Sequence, residues 1–447
     1  MKTVLLIDDE PVTRATIAKI LGEAGWRVVE APDGEQGIAL ALLHRPDVVL
    51  CDLLMPRCNG FQVCRQLREK RAQLPNTTIL VTSSRDYAID RFNALESGAD
   101  DFLLKPIRAA DLLRVLDQVT VGAGQSPVAA AAPAAPKAAP PSSEKNRFRF
   151  WGVRGSIPTP GPATVFYGGN TSCVEVRADG EVIILDSGSG IRPLGLHLLS
   201  EYRDRPMRLT ILLTHTHWDH IQGFPFFAPA YNPQNRLTVI GFEGSRQGLE
   251  STLTGQMEST YFPIGLKQMP GHTTFEEARE MQFEVGNIRV TAAFTNHPGI
   301  CVGFRLDTRT GSLVFMPDHE PFLRMRLASA HHTSGNPEGL DFARAEDERM
   351  AAFIKGADIL IIDSQYDAEE YKKHVGWGHS CVDDSISMAL AAKVKRLFLF
   401  HHDPCHDDEW VSRTVARARE SVTRQGGNMI VEAAREGYEG GLTGDGG

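Results

Sequence analysis

The stretch LTILLTHTHWDH, residues 209–220, places three histidines and an aspartate directly after an apolar run. Leu209–Leu213 has the length and composition of a buried β-strand. Imidazoles and carboxylates are costly to bury without partners, but both are good ligands for zinc and other first-row metals. The stretch therefore predicts a loop that leaves a strand and presents ligands to two neighbouring ions. The candidate ligands in this loop are His215, His217, Asp219 and His220.

The heptad Thr214–His220 resembles the signature of the metallo-β-lactamase superfamily, and the later motifs TNHPG, FMPDHE and LFLFHHDP follow in that family's order. The resemblance implies an αββα sandwich with two metal ions. It implies His215, His217 and His297 on one ion, Asp219, His220 and His401 on the other, and Asp318 as the bridge. His402, next to His401, remains an alternative ligand. Zinc is the default metal for these ligands, and manganese or iron are alternatives.

Two further aspartates end apolar runs in this part of the chain. Asp186, in LDSGSG, matches an aspartate that supports the metal ligands in the family. Asp363, in ILIIDSQ, is interpreted as a structural or ligand-supporting residue.

A bridging aspartate favours phosphodiester cleavage, because two close ions stabilise charge on both the attacking and the leaving oxygen. The motif Gly378–Ser380 resembles the GHS element of the ribonuclease Z and phosphodiesterase branch. That resemblance implies that His379 protonates the leaving oxygen or holds the phosphate, as a sugar alkoxide leaving group requires. We therefore predict Asp219 and His379 as catalytic residues. The alternative for His379 is a plain residue at a helix start.

The segment Phe150–Ser172 looks like uncharacterised hydrolases of the same branch, and Arg154 and Asn170 are predicted to face the substrate. No arm suited to grasping tRNA is apparent between Phe224 and Phe294. The net charge of the chain is −9, which disfavours generic binding to nucleic-acid backbones. Small phosphodiesters, including cyclic nucleotides, are the expected substrates.

An Ala- and Pro-rich segment divides the chain. Residues 122–145 cannot bury enough apolar surface to order themselves, so they predict a flexible linker. We expect a first domain at 1–121, a hydrolase domain at 146–439 and a disordered tail at 440–447. Within the hydrolase domain, turn residues predict hairpins around Asp179–Gly180 and Thr310–Gly311.

The first domain alternates short apolar strands with helical stretches, which predicts a doubly wound parallel sheet. Ligands of such sheets bind at the carboxyl ends of the strands. Converging carboxylates there require a hard cation such as Mg²⁺, and an aspartate so placed is a nucleophile toward a phosphoryl group. The polar residues at the predicted strand ends are Asp8, Asp9, Asp52, Thr82 and Lys105.

This set, in LLIDDEP, VVLCDLLMP, ILVTSS and LLKP, resembles the CheY-like (flavodoxin-like) receiver domain. The resemblance implies that Asp52 accepts the phosphoryl group. It implies that Asp8, Asp9 and the backbone carbonyl of Leu54 bind Mg²⁺. It further implies that Thr82 and Lys105 contact the phosphoryl group and that Phe102 is the aromatic switch residue. A sensor histidine kinase is the implied partner, and a homodimer through this domain is an expectation.

The sequence also argues against a membrane-spanning, a disulfide-bonded or a DNA-binding protein. No apolar run is long enough to cross a bilayer, and seven scattered cysteines without a CxxC motif suggest reduced thiols in a cytoplasmic protein. No helix-turn-helix or basic recognition helix follows the linker, so DNA binding is not expected.

The leading hypothesis is a response regulator whose output is a two-metal phosphodiesterase controlled at Asp52. Hydrolysis of a thioester or lactone is the alternative reaction, and a non-catalytic, metal-stabilised signalling module is the third. A di-iron oxidoreductase is disfavoured, since the first domain has no glycine-rich phosphate loop for a flavin. The sequence leaves open whether phosphorylation activates or inhibits.

Overall fold

The structure is a computed structural model that describes residues 2–85, 87–119, 146–203, 205–242, 248–329 and 337–443. The chain divides into two compact units, the bulk of one before residue 120 and the bulk of the other after residue 145. The predicted linker, residues 122–145, lies outside the described residues. None of the helices in the described part of the chain combines the length and the hydropathy that a bilayer crossing requires.

The first unit is a doubly wound α/β domain with one sheet in the order β2-β1-β3-β4-β5. All its strand pairs are parallel, as the alternation of strands and helices predicts. The strands are β1 Thr3–Ile7, β2 Arg27–Ala31, β3 Val48–Asp52, β4 Thr78–Ser83 and β5 Asp101–Leu104. The helices are α1 Pro11–Glu23, α2 Gly34–His44, α3 Gly60–Glu69, α4 Ala88–Glu96 and α5 Ala109–Val119.

The central strands of this sheet are buried throughout, which explains why they are continuous apolar runs rather than alternating ones. Strands β3 and β4 pair in a register that sets Asp52 beside Thr82. Helix α3 begins at Asn59, whose side chain accepts the backbone N–H of Gln62 in a reciprocal capping box. The fold thus brings the polar strand ends to one edge of the sheet.

The second unit contains two seven-stranded sheets. The first has the order β11-β10-β9-β8-β7-β6-β19 and the second runs from β12 to β18 in sequence order. The strands of the first sheet are β6 Arg147–Gly152, β7 Cys173–Ala178, β8 Glu181–Leu185, β9 Arg208–Leu213, β10 Arg236–Gly241, β11 His272–Glu277 and β19 Glu439–Gly441. Those of the second are β12 Gln282–Val285, β13 Ile288–Phe294, β14 Val302–Asp307, β15 Ser312–Met316, β16 Ile359–Asp363, β17 Arg396–Phe400 and β18 Ile430–Ala433.

Eight α-helices lie in the described part of this unit, and six of them pack against the sheets. The eight are α6 Ile191–Tyr202, α7 Trp218–Ile221, α8 Leu249–Gly255, α9 Phe322–Ser329, α10 Pro337–Phe353, α11 Ala368–Tyr371, α12 Val382–Ala391 and α13 Asp408–Arg424. Apolar residues of α6, α7 and α8 pack in one core with the first sheet. Residues of α10, α12 and α13 pack in another core with the second sheet.

Phenylalanines join the inner faces of the two sheets. The rings of Phe148 on β6 and Phe398 on β17 are 5.4 Å apart, and those of Phe150 and Phe400 are 6.1 Å apart. Aromatic pairs at these distances add to the free energy of apolar burial. The four layers make an αββα sandwich, as predicted.

Both predicted hairpins are present, as β7–β8 and β14–β15. In the first, Asp179 and Gly180 have φ values of 52° and 90°, the left-handed conformation that a two-residue hairpin turn demands.

The disordered tail predicted from residue 440 begins too early. Strand β19 pairs antiparallel with β6, and Leu442 is only 1% exposed. Backbone hydrogen bonds to an edge strand and one buried leucine hold a segment whose glycine-rich composition suggested fraying. Order therefore extends to residue 443, and residues 444–447 lie outside the described residues.

Candidate functional site

The histidine-rich loop begins where strand β9 ends, and Asp186, the residue after strand β8, supports it. The Asp186 carboxylate accepts hydrogen bonds from the backbone N–H of Thr214 (2.9 Å) and from His220 Nδ1 (2.7 Å). Because its Nδ1 donates to this carboxylate, His220 presents Nε2 on the opposite side of the ring. Asp186 thus holds the loop and fixes the tautomer of one candidate ligand.

Seven residues, called here the ligand cluster, converge at this loop. They are His215, His217, Asp219, His220, His297, Asp318 and His401. Two groups of the cluster without a shared residue could each hold an ion, His215, His217 and His297 in one, and Asp219, His220 and His401 in the other, since the ligand atoms of each lie within 4.8 Å of one another. His215, His220 and Asp318 form a further such triplet, which spans the two groups.

The first group is joined by His297, from the loop after β13. Its Nε2 lies 3.0 Å from Nδ1 of His217, and its Nδ1 donates to the carbonyl of Gly378 at 2.9 Å. The second group is joined by His401, at the end of β17. Its Nε2 lies 3.1 Å from Oδ2 of Asp219, and its Nδ1 donates to Oε1 of Gln365.

Asp318 lies between the two groups. Its Oδ1 is 3.3 Å from His220 Nε2 and 3.4 Å from His401 Nε2. Its Oδ2 is 3.6 Å from His215 Nε2 and 3.5 Å from His297 Nε2. Each carboxylate oxygen therefore faces a different group, which is the arrangement that a bridging ligand needs.

The donor atoms of the cluster fit metal ions better than they fit each other. His215 Nε2, His220 Nε2 and Asp318 Oδ1 are buried and have no hydrogen-bond partner among the described residues. Buried polar atoms without partners are rare in folded proteins. His220 Nε2 and Asp318 Oδ1 are 3.3 Å apart without forming a hydrogen bond, and nitrogen with carboxylate oxygen is a normal donor set for zinc.

The electrostatics of the cluster agree with that donor set. Burial holds the pKa of His215 and of His297 well below its ordinary value. Burial would raise the pKa of Asp318, yet the imidazoles of His401 and His220 hold it well below its ordinary value. Burial lowers the pKa of His220, but Asp219 and Asp318 raise it well above its ordinary value. The carboxylates that attract a proton there would equally attract a metal cation.

His379 lies beside the cluster and pairs with Asp363. Its Nδ1 donates to Asp363 Oδ2 at 2.8 Å, and its ring stacks on that of His401 with centroids 4.8 Å apart. Burial lowers the pKa of His379, but Asp363 outweighs it and raises the pKa to about 9. Asp363 also accepts the backbone N–H groups of His319 and Gln365, so it orients His379 as well as supporting the loop.

A second polar site occupies the sheet edge of the first unit. Lys105 Nζ lies 2.9 Å from Asp8 Oδ2 and 3.0 Å from Asp52 Oδ1, and Thr82 Oγ1 lies 3.4 Å from the same Asp52 oxygen. Burial raises the pKa of Asp52 to about 7, with Asp8 and Asp9 adding to the shift and Lys105 opposing it.

Three other residues expected at this edge, Asp9, Leu54 and Phe102, are near the Asp8–Asp52–Lys105 site in the chain or on a strand of the same sheet. Asp9 is exposed next to Asp8, and Leu54 follows Asp52 by two residues. Phe102 is buried on β5, paired with Val81 of β4.

Comparison with known proteins matches both halves of the chain. The response regulator receiver domain matches residues 4–117. PilH of Pseudomonas aeruginosa is 35% identical over 122 residues, which are 27% of this chain and all of PilH. The chain belongs to the response regulator receiver family. The response regulator MprA of Mycolicibacterium vanbaalenii is 40% identical over 129 residues, 28% of this chain and 54% of MprA, so the chain spans about half the length of that relative.

The second domain of this response regulator matches the beta-lactamase superfamily domain over residues 182–334. Among solved structures, the metallo-beta-lactamase fold protein YhfI from Bacillus subtilis is 16% identical with a TM-score of 0.46, over 66% of this chain and 99% of YhfI. The family match and the αββα sandwich together give the response regulator a second domain of the metallo-β-lactamase fold.

Two residues predicted to face the substrate are held by hydrogen bonds within the protein. Arg154 is 0% exposed, and its guanidinium donates to the backbone carbonyls of Gly168, Asp403 and His406. Asn170 donates from Nδ2 to Glu436 and accepts from Ser189 Oγ. Both side chains hold loops together. Burial removes Arg154 from solvent, whereas a substrate contact of the half-buried Asn170 stays a prediction.

The structure also separates the two adjacent histidines. His402 donates from Nε2 to the carbonyl of Ala434 at 2.9 Å, away from the cluster that His401 joins. His401 has a φ of 61°, and this left-handed residue turns the chain so that neighbouring side chains point in different directions.

Two residues of the response regulator were missed from the sequence. Gln365 links His401 to Asp403, through its Oε1 and Nε2 respectively. The buried Glu320 accepts the backbone N–H groups of Gly376 and Gly378 at 2.9 Å each. No local signal marked Glu320, because its partners Gly376 and Gly378 lie over fifty residues later in the chain.

Proposed function

We propose that this response regulator carries a dinuclear-metal phosphodiesterase as its output domain, controlled by phosphorylation of Asp52. The observation that supports the enzyme most is the position of Asp318, which turns one carboxylate oxygen toward each ligand group. A single-metal site would not need an aspartate that faces two sets of histidines.

The proposed ligands are the seven residues of the cluster, with zinc as the expected metal and manganese or iron as alternatives. When bound, the two ions supply Lewis acidity that activates water and offsets charge on the phosphate. The three unpartnered buried donor atoms support this proposal, because ligation would give each of them a partner.

The proton steps fall to residues of the chain. Asp219 accepts a proton from the attacking water while the water oxygen forms a bond to phosphorus. His379 donates a proton from Nε2 to the leaving oxygen as the other phosphorus–oxygen bond breaks. The Asp363 carboxylate, bonded to Nδ1, keeps the ring oriented for this transfer. An alkoxide leaving group needs such an acid, whereas a thiolate leaving group does not, which favours phosphodiesters over thioesters.

Control is proposed to act through the receiver domain. The Asp52 carboxylate is set beside Thr82 and Lys105, groups suited to hold phosphoryl oxygens. The Mg²⁺ needed for transfer would be bound by Asp8, Asp9 and the carbonyl of Leu54. The phosphodonor is proposed to be a sensor histidine kinase.

The first test is hydrolysis of bis(p-nitrophenyl) phosphate by metal-loaded full-length protein, with Asp219→Ala as the inactive control. Turnover by the wild type that the variant lacks is expected. Turnover of thioesters or lactones without any phosphodiester cleavage would replace the proposal with an ester hydrolase. Control is tested by comparing wild type, Asp52→Asn and beryllofluoride-treated protein, and equal activity of all three would refute it.

A further inference from the structure

Two tryptophans of the second domain are strongly exposed. Trp218 is 77% exposed and Trp377 is 60% exposed. Tryptophan is on average a highly buried residue, because leaving its large apolar surface in water forgoes about 25 cal/mol for each Å². Two exposed indoles in one domain therefore need an explanation.

Both tryptophans are chain neighbours of residues that form or support the ligand cluster. Trp218 stands between His217 and Asp219 in the chain. Trp377 precedes Gly378, whose carbonyl accepts the hydrogen bond from His297 Nδ1. Both indoles therefore stand on the chain segments that carry or support the ligands of the cluster.

The backbone around Trp377 is fixed on both sides by one buried carboxylate. Glu320 accepts the N–H of Gly376 through Oε1 and that of Gly378 through Oε2. Tyr371 donates its hydroxyl to Oε1 as well. A buried carboxylate is unfavourable unless it is well hydrogen-bonded, and here its bonds bracket an exposed indole. The His374 ring supports that indole edge-on, with centroids 4.8 Å apart.

We propose that Trp218 and Trp377 bind the nucleobases of the substrate by stacking, so that the enzyme acts on nucleotide phosphodiesters rather than on phosphodiesters in general. This inference rests on the proposed phosphodiesterase function. Nucleotides combine a phosphate with a planar aromatic group, and indoles beside a phosphate site match that combination. Stacking tolerates every base, since each base has a π-face, so little preference among bases is expected.

The test compares two p-nitrophenyl phosphodiesters that differ in one group. Thymidine 5′-(p-nitrophenyl phosphate) carries a base, and methyl p-nitrophenyl phosphate does not. The wild-type, metal-loaded full chain should have the lower KM for the thymidine ester. Trp218→Ala and Trp377→Ala should each raise the KM for the thymidine ester relative to the methyl ester by about tenfold.

Two further variants serve as controls for the loss of any aromatic side chain and for general effects of substitution. Trp377→Phe should retain most of the preference, because phenylalanine still offers an aromatic face. Phe166→Ala removes another exposed aromatic, one that packs against Arg435, and should leave the preference unchanged. Equal changes of KM for both esters in the tryptophan variants, or no change for either, would overturn the stacking proposal.

A binding measurement separates this proposal from the proposed function. Calorimetry compares adenosine 5′-monophosphate with ribose 5-phosphate on the metal-loaded protein. Tighter binding of the nucleotide that is lost in Trp377→Ala supports stacking even if neither ester is cleaved. Equal affinity for the two ligands would refute stacking even if the protein hydrolyses phosphodiesters.

Discussion

The receiver site and the ligand cluster both gather carboxylates beyond the ends of buried strands, but they offset the negative charge differently. In the receiver, the Lys105 ammonium lies within 3.0 Å of Asp8 and Asp52. In the cluster, imidazoles surround Asp219 and Asp318 and leave donor atoms without partners.

The pKa directions follow from this difference. Asp52 has a raised pKa of about 7, because burial and neighbouring acids outweigh Lys105. Asp219 has a pKa well below its ordinary value despite burial, because His220 and His401 stabilise the carboxylate. An oxygen-rich site with its own lysine suits a labile Mg²⁺ and a transient phosphoryl group. A mixed nitrogen and oxygen site suits a resident transition metal.

The largest expected effect is on phosphorylation of the receiver site, with none on metal binding by the ligand cluster. Asp52→Asn should abolish phosphoryl incorporation from a small phosphodonor, because the nucleophilic carboxylate is gone, while metal bound to the second domain stays unchanged. Intact-protein mass spectrometry and metal analysis measure the two quantities. Asp111→Asn, on the exposed face of α5, is the matched control and should be phosphorylated normally. Incorporation by Asp52→Asn at the wild-type level would place the phosphoryl group elsewhere.

The next effect concerns the hydrogen-bonded pair His379 and Asp363 beside the ligand cluster. Asp363→Asn should lower kcat about 10- to 100-fold and leave the metal content unchanged. This is the usual range for a residue that orients an active-site side chain through a hydrogen bond. The reason is that His379 loses the acceptor for Nδ1 and its orientation. Steady-state kinetics with metal analysis is the measurement. A fall in metal content that fully accounts for lost activity would instead assign Asp363 to metal retention.

A smaller effect is expected at the loop that holds Trp377. Glu320→Gln replaces a carboxylate that accepts two backbone N–H groups, so the free energy of unfolding should fall by about 2 kcal/mol. Denaturant titration measures it, and Glu369→Gln, exposed on α11, is the control. An unchanged midpoint would show that the loop does not depend on this carboxylate.

The smallest effect tests whether Asn170 holds a loop or contacts the substrate. Asn170→Ala should reduce the free energy of unfolding by about 1 kcal/mol, because its contacts are to Glu436 and Ser189. KM for any substrate that the enzyme cleaves should remain within about twofold, by the same structural argument. A several-fold rise in KM at unchanged stability would return Asn170 to the substrate site.

The sequence predicted those parts of the molecule that local patterns encode. The βαβ alternation, the hairpin at Asp179–Gly180 and the histidine-rich loop after β9 each carry their signal within a few residues. Glu320 carries no such signal, because its role depends on Gly376 and Gly378, more than fifty residues later. Arg154 shows the opposite case. An arginine within a motif suggests a contact with a ligand, but the tertiary fold buries this side chain among backbone carbonyls, which the local sequence does not reveal.

The central claim is that Asp318 bridges two metal ions in a phosphodiesterase. The most direct measurement is elemental analysis of purified wild type and Asp318→Ala, with hydrolysis of bis(p-nitrophenyl) phosphate by the same samples. The account predicts two transition-metal ions per wild-type chain, at most one in Asp318→Ala, and a loss of turnover of about a thousandfold. One ion per wild-type chain, or full turnover by Asp318→Ala, would contradict it.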